Sequence, residues 1–344
     1  MGVNTNPVPD ELTIQNLRKT LSHYAKPNLR KAIVQILTTL LPYLGLWGII
    51  IYMVKRDYSK MLIAALMLLA ALFLVRIFIL FHDCVHNSFF RSTRANTIFG
   101  YITGILTFTP FRYWQHNHMV HHGSYADLER RGIGDVWILT VNEYLNCSPM
   151  KRFGYRCYRN PVVFLGIGPG YVFLLTQRLM HEWEGKKERF SAVVTNLAIL
   201  TILVVAGLTI GLHIYLLIQI PIFLISGAIG VWLFYVQHQF EGVYWSSHDQ
   251  WDPVKAALQG SSYYRLPKIL QWFSGNIGLH HVHHVLPKIP NYNLQQSCDD
   301  VSILQTVPPM NFRKSLKSLF LNLWDEQQQQ LISFKALKSR STPQ

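Results

Sequence analysis

The chain has 344 residues, half of them apolar and only 15% charged, with a formal net charge of +14. Soluble domains carry about a quarter charged residues, so this composition excludes an ordinary soluble globule and indicates an integral membrane protein. Beside such long apolar runs the positive charge is no sign of nucleic-acid binding; Lys and Arg near spans set topology or face anionic lipid.

Met1–Lys31 is polar, lacks a secretory signal, and carries Arg18, Lys19, Lys26, Arg30 and Lys31 ahead of the first apolar run. A spanning helix needs about 20 mostly apolar residues. Four stretches qualify: Ala32–Val54, Met61–Phe81, Ser191–Leu212 and Ile214–Val236. They pair into hairpins, residues 32–81 and 191–236, with short turns at Lys55–Lys60 and around His213. The expected fold is an all-α integral membrane protein with four transmembrane helices in two hairpins and a cytosolic helical cap. An even number of spans puts both termini and residues 82–190 and 237–344 on one face. The basic segment 1–31 marks that face as cytoplasmic; the larger basic total there outweighs Lys55, Arg56 and Lys60 in the opposite turn. Arg76, inside the second span, is read as snorkelling to the near interface.

Between the hairpins, Ile98–Phe111 and Val162–Thr176 are too short to span and read as interfacial or re-entrant segments. In the tail, Phe312, Leu316, Leu319, Phe320 and Leu323 predict an amphipathic helix over Asn311–Gln330. Cys84, Cys147, Cys157 and Cys298 are scattered without a C-x-x-C, which fits a reducing compartment better than a disulfide framework.

Chemistry concentrates in the histidines. Most of the fifteen fall in or beside three clusters: His82-Asp83-Cys84-Val85-His86, His118-Met119-Val120-His121-His122 and His280-His281-Val282-His283-His284. On a helix, residues three and four apart share a face. His82 and His86 therefore point together, as do His118, His121 and His122, and His280, His283 and His284. Eight imidazoles are too many for one zinc ion, which takes four ligands; the set suits two metal ions held by nitrogen. Packing has no use for a repeated His-x-x-His-His, and neutral imidazole is a metal ligand. His238, just after the fourth span, is the ninth candidate. His116 and His281 lie off the ligand faces, and His23, His181, His213 and His248 have no ligand partners nearby. Acceptors for the second ring nitrogens are sought in Asp83, Asp135, Glu143 and Glu241, while Asn276, one helical turn before His280, is placed to hold a metal-bound water.

Imidazole suits iron, zinc, copper and nickel, so the ligand type leaves the metal open. A redox-active pair at a membrane surface points to O2 activation against a lipid chain. Two other classes compete. A b-type haem electron-transfer protein would face its histidines across spans, and a metal transporter would place polar ligands at the bilayer midplane.

The three clusters resemble the histidine boxes of the membrane fatty-acid desaturases, and His238 resembles the ligand that follows the fourth span in that family. The similarity runs through Arg131–Trp137, Gly230–His238 and Pro287–Tyr292, in particular to the bacterial acyl-lipid desaturases, including the Δ5 type of Gram-positive bacteria. The resemblance implies two iron ions, O2 as oxidant, two external electrons and a cis double bond made in a lipid-bound acyl chain, with no side chain acting as a separate acid or base. Related di-iron hydroxylases and ketolases share the boxes and form the alternative within the enzyme class. The His-Pro-Gly-Gly signature of cytochrome b5 is lacking, so the implied donor is a separate ferredoxin or flavodoxin, for which Lys151, Arg152, Arg156 and Arg159 form one candidate docking patch, anionic lipid headgroups being the alternative partner of the same residues. The implied location is the bacterial cell membrane. Trp114, Trp232, Tyr235 and Trp272 are candidate walls for an acyl tunnel, each read singly as belt or core.

Overall fold

The computed structural model describes residues 13–179 and 185–340; His181 and the extreme ends of the two terminal segments lie outside the described residues. The helices are α1 (Ile14–Leu21), α2 (Leu29–Lys55), α3 (Lys60–Val85), α4 (Thr93–Leu106), α5 (Phe111–Ser124), α6 (Val141–Asn146), α7 (Pro149–Tyr158), α8 (Gly168–Leu174), α9 (Lys186–Thr209), α10 (Leu212–His238), α11 (Pro253–Leu258), α12 (Lys268–Phe273), α13 (His280–Val285) and α14 (Asn291–Asp300). Short helical turns, a last helix over Phe334–Arg340 and five two- or three-residue strands complete the described residues: β1 (Leu139–Thr140), β2 (Tyr263–Tyr264), β3 (Pro309–Met310), β4 (Leu323–Asp325) and β5 (Gln330–Ile332).

Among the described residues, α2, α3, α9 and α10 are the four helices long and apolar enough to cross a membrane. They overlap the four expected spans. α3 runs on to Val85 and α10 to His238, so His82 and His238 sit on the last turns of spanning helices. The second hairpin turns at Ile210–Gly211, where Gly211 takes φ +94°, a conformation open to glycine. His213 therefore lies at the start of α10, about 37 Å of helix from His238. α2, α3 and α10 share an apolar core through Tyr43, Leu46, Ile50, Leu74, Ile77, Ile218 and Ile222. A second core in the cap joins α1, α11, α13 and α14 through Leu17, Leu21, Val254, Val282, Val285 and Leu294.

Both intervening segments are helical. α4 packs on α3 and α9, and at 14 residues is about 21 Å long, short of the roughly 30 Å hydrocarbon core. Residues 163–167 form a π-helical turn that leads into α8, which packs on α10.

Two expectations are corrected. Arg76 does not snorkel. It is 3% exposed; its Nε donates to Thr39 Oγ1 at 3.0 Å, its guanidinium donates to the Trp272 carbonyl, and it stacks 3.8 Å from the Trp272 ring. α12 folds over this position and supplies the partners that the lone span lacks. The tail does not form the amphipathic helix over Asn311–Gln330. Helix is confined to Phe312–Ser315 and a 3-10 turn over Leu316–Phe320, where Phe312, Leu316 and Phe320 stay exposed. β4 then pairs in parallel with β1 and antiparallel with β5. Asp325 Oδ1 accepts the backbone N–H groups of Gln327 and Gln328 and turns the chain. Trp324 inserts among Tyr125, Ile138 and Trp245.

Trp324 is fully buried. Replacing it with Ala is expected to cost about 3–5 kcal/mol, seen as a lowered melting temperature of the detergent-purified protein; an unchanged melting curve would show that this sheet does not support the cap.

Candidate metal centre

Local structure aims each histidine. His86 caps α3, its N–H returning to the His82 carbonyl at 3.2 Å, and the chain leaves through Asn87 at φ +53°. His118, His121 and His122 lie on consecutive turns of α5. His238 ends α10, where its carbonyl accepts from the Tyr125 hydroxyl at 3.0 Å. α13 supplies His280, His283 and His284. It is brought close by Gly278, where a Cβ would meet the Tyr264 carbonyl oxygen at 2.2 Å; the Tyr264 N–H donates to the Gly278 carbonyl at 2.6 Å.

The nine histidines form two groups. His82, His86, His118, His122 and His283 make one, and His121, His238, His280 and His284 the other; within each group the ring nitrogens lie within 4.8 Å of one another. His118 Nε2 is 3.0 Å from His82 Nε2 and 3.1 Å from His122 Nε2. His280 Nε2 is 3.0 Å from His238 Nε2 and 3.1 Å from His284 Nε2. A ring nitrogen has one in-plane proton or lone pair, so it cannot bond two such neighbours at once. Buried His86 Nε2 has no hydrogen-bond partner. A cation with metal–nitrogen bonds of about 2.1 Å at right angles would set its ligand atoms about 3.0 Å apart. The residues fit such an ion.

The electrostatics agree. Burial first, and neighbouring imidazoles second, hold His86, His118, His122, His280, His283 and His284 well below the usual histidine range. They are neutral, the form that binds metal. His122 is the least buried of the nine, and its ring stacks on His284 of the other group at 4.3 Å.

His121 Nδ1 donates to Asp135 Oδ1 at 2.5 Å, leaving Nε2 to face the group. Asp83 Oδ1 lies 3.8 Å from His82 Nδ1, while its Oδ2 accepts from the Asn291 backbone and side chain, both at 2.8 Å. It ties α3 to the start of α14. Asn276 is not one helical turn before His280, because α13 begins at His280; Asn276 sits in a turn at φ +57°, and no hydrogen bond joins its side chain to a histidine. Glu143 instead caps α6 and pairs with Arg131, and Glu241 pairs with Lys317 on the surface. Of the remaining histidines, His281 Nε2 bonds the Leu304 carbonyl at 3.0 Å, His248 Nδ1 bonds Asp127 Oδ2 at 2.7 Å, and His23 Nδ1 bonds the Thr20 carbonyl at 3.1 Å.

A mostly apolar cavity of about 340 Å³ runs from α3, α5, α8 and α10 to both groups, touching His82 and His118 of one and His280 of the other. Trp114 lines it and stacks on His118 at 4.2 Å. Trp232, Tyr235 and Trp272 are not among its walls. Phe173, Phe223, Phe234 and Gly230 are; apolar residues in apolar segments carry no signal that separates wall from lipid face. A smaller polar depression of about 220 Å³ reaches His122 and His284, with Arg18, Tyr125 and Trp251 around it. The basic patch is only partly a surface. Arg159 is buried, donating to Tyr235 Oη at 3.0 Å, to Gln239 Oε1 at 3.2 Å and to the Leu321 carbonyl.

A family model described as "Fatty acid desaturase" matches residues 59–298. A Bacillus subtilis (strain 168) protein named "Fatty acid desaturase" is 47% identical over 324 residues, covering 94% of this chain and 92% of its own. More distant relatives include the "Omega-3 fatty acid desaturase, endoplasmic reticulum" of Vigna radiata, 26% identical over 64% of this chain and 60% of that protein. The "sn-1 oleoyl-lipid 12-desaturase" of Picosynechococcus is 25% identical over 64% and 63%. Four spanning helices capped by a histidine-rich, metal-competent cluster define a membrane oxidoreductase. The chain belongs to the fatty acid desaturase family and acts on fatty acids.

Asp135→Asn is expected to weaken metal retention roughly 10–100-fold, measured as metal content after dialysis against a chelator. Retention equal to the parent would mean that Asp135 does not orient His121.

Proposed function

We propose that the chain is an O2-dependent acyl-lipid desaturase that makes a cis double bond in an acyl chain of a membrane lipid. The observation that carries this reading is the apolar cavity reaching His82, His118 and His280, so that a hydrocarbon chain lying in it would present a carbon of its length to both histidine groups. His82, His86, His118, His122 and His283 would hold one iron, and His121, His238, His280 and His284 the other. Bound iron supplies the redox chemistry by which O2 takes two hydrogens from the chain. The balance is one saturated chain, one O2, two electrons and two protons, giving one unsaturated chain and two waters.

The protein's own groups do three things. The cavity walls bind and straighten the hydrocarbon and keep water from it. Asp135 fixes the tautomer of His121 through the bond at Nδ1. The polar depression over His122 and His284 offers the route for protons and water that apolar walls do not. The electrons come from a separate ferredoxin or flavodoxin, steered by the basic cap. The cap, both termini and the site face the cytoplasm of a bacterial cell membrane, following the basic segment before α2.

The test is fatty-acid profiling by gas chromatography–mass spectrometry in a bacterial host without its own desaturase, co-expressing a ferredoxin and its reductase. New monounsaturated acids are expected with the parent chain, none with His86→Ala, His121→Ala or His283→Ala, and near-parental amounts with His213→Ala. Purified parent should hold about two irons, since imidazole alone does not select the metal. Hydroxylated acids, sixteen mass units heavier, would replace this reading with a hydroxylase; active protein with zinc and no iron would end the oxidative mechanism.

A further inference from the structure

We infer that Gly230 sets the bore of the cavity, and with it the length of hydrocarbon admitted beyond the oxidised carbon; this rests on the desaturase reading above. The cavity wall on α10 is one broad helical face, Phe223, Ser226, Gly227, Gly230, Val231, Leu233, Phe234 and Gln237, recurring every three to four residues. Gly230 is its midpoint and has no side chain. Neither backbone conformation nor packing requires glycine there. Gly230 is not among the residues of positive φ, and a Cβ built on it meets nothing within 4 Å. Gly227, one turn earlier, differs: its Cβ would lie 2.8 Å from Pro169 Cβ, so that glycine lets α8 approach. Glycine disfavours a helix relative to alanine, so the space that Gly230 leaves serves the cavity itself.

The distances give the depth. Gly230 precedes His238 by eight residues, about 12 Å along the helix axis. An all-trans hydrocarbon with bonds of about 1.5 Å advances about 1.25 Å per bond. About nine or ten carbons therefore separate the metal end from the level of Gly230. Phe223 lies a further seven residues, about 10 Å, beyond it. The end that enters is the methyl end, because the carboxyl end carries a polar carrier that apolar walls would strip of water. Leucine at 230 would close the cavity at the nearer level.

The desaturase-free host is fed tetradecanoic and octadecanoic acids and expresses the parent, Gly230→Ala or Gly230→Leu. Gly230→Leu is expected to lower the ratio of octadecenoic to tetradecenoic product by roughly tenfold or more, the discrimination that a methylene or more commands in an apolar pocket. Gly230→Ala, which meets no neighbour, should lower it less and serves if the leucine variant does not accumulate. An unchanged ratio and unchanged double-bond positions overturn the inference. Binding is read separately on the purified chains, as quenching of tryptophan fluorescence by terminally brominated octadecanoate and dodecanoate. The parent should respond to both and Gly230→Leu to dodecanoate alone; equal responses overturn the inference even where the parent makes no product, an outcome that counts against the desaturase reading instead.

Discussion

Nine imidazoles crowded against one another in the interior are the constraint on which the rest of this structure depends. A buried histidine loses its charge because the protein cannot solvate the imidazolium, and a neighbouring imidazole lowers the proton affinity further. Neutral rings whose Nε2 atoms crowd to about 3 Å satisfy few hydrogen bonds among themselves, and the unpartnered Nε2 of His86 shows the deficit. Such a cluster is stable when a cation accepts the lone pairs. Every element that carries a histidine must then be held in place by something other than the histidine.

The surrounding bonds do that. The Asp83 carboxylate, on the same turn as His82 and His86, is tied to Asn291, which in turn exchanges hydrogen bonds with Gln35 on α2 at 2.7 and 3.0 Å. Arg76 joins α3 to α2 through Thr39 and to the cap through Trp272. Tyr125 reaches the carbonyl of His238 from the end of α5. Gln237 donates to the Ile277 carbonyl at 3.0 Å, holding α10 to the turn that starts α13. Each link is polar, buried or partly buried, and between different elements, so a displaced helix would strand a donor or acceptor.

This explains what the sequence showed. The boxes were legible because ligand geometry is local: i, i+3 and i+4 spacing on α3, α5 and α13 puts the rings on one face whatever the tertiary structure. His238 was legible from topology, as the residue leaving the fourth span on the face that gathers the others, and Asp135 from chemistry, as a carboxylate near the second box. What escaped was long-range. Arg76 read as a snorkelling cation because α12, some 190 residues on, is not visible from α3. Arg159 read as a surface charge because the Leu321 carbonyl that it meets comes from the tail. The tail read as a helix because its apolar spacing is helical, whereas pairing of β4 with β1 and the turn at Asp325 depend on a strand far upstream. The placement of Asn276 differed on a local point: the helix assumed around it begins four residues later, at His280.

Two cavities that reach the cluster among the described residues differ in polarity. One is walled by α3, α5, α8 and α10 and is mostly apolar; the other is small and polar, and lies over His122 and His284. A hydrocarbon and an aqueous reactant have opposite solvation preferences, so a reaction that consumes both gains from approaches that do not overlap. The stacking of His122 on His284 places the boundary between the two metal groups at the polar opening, while His82, His118 and His280 present both groups to the apolar one. Because α10 forms a wall of the apolar cavity and also ends in His238, the depth of the cavity and the position of that histidine are measured along one helix. A change on that face alters reach without touching a ligand.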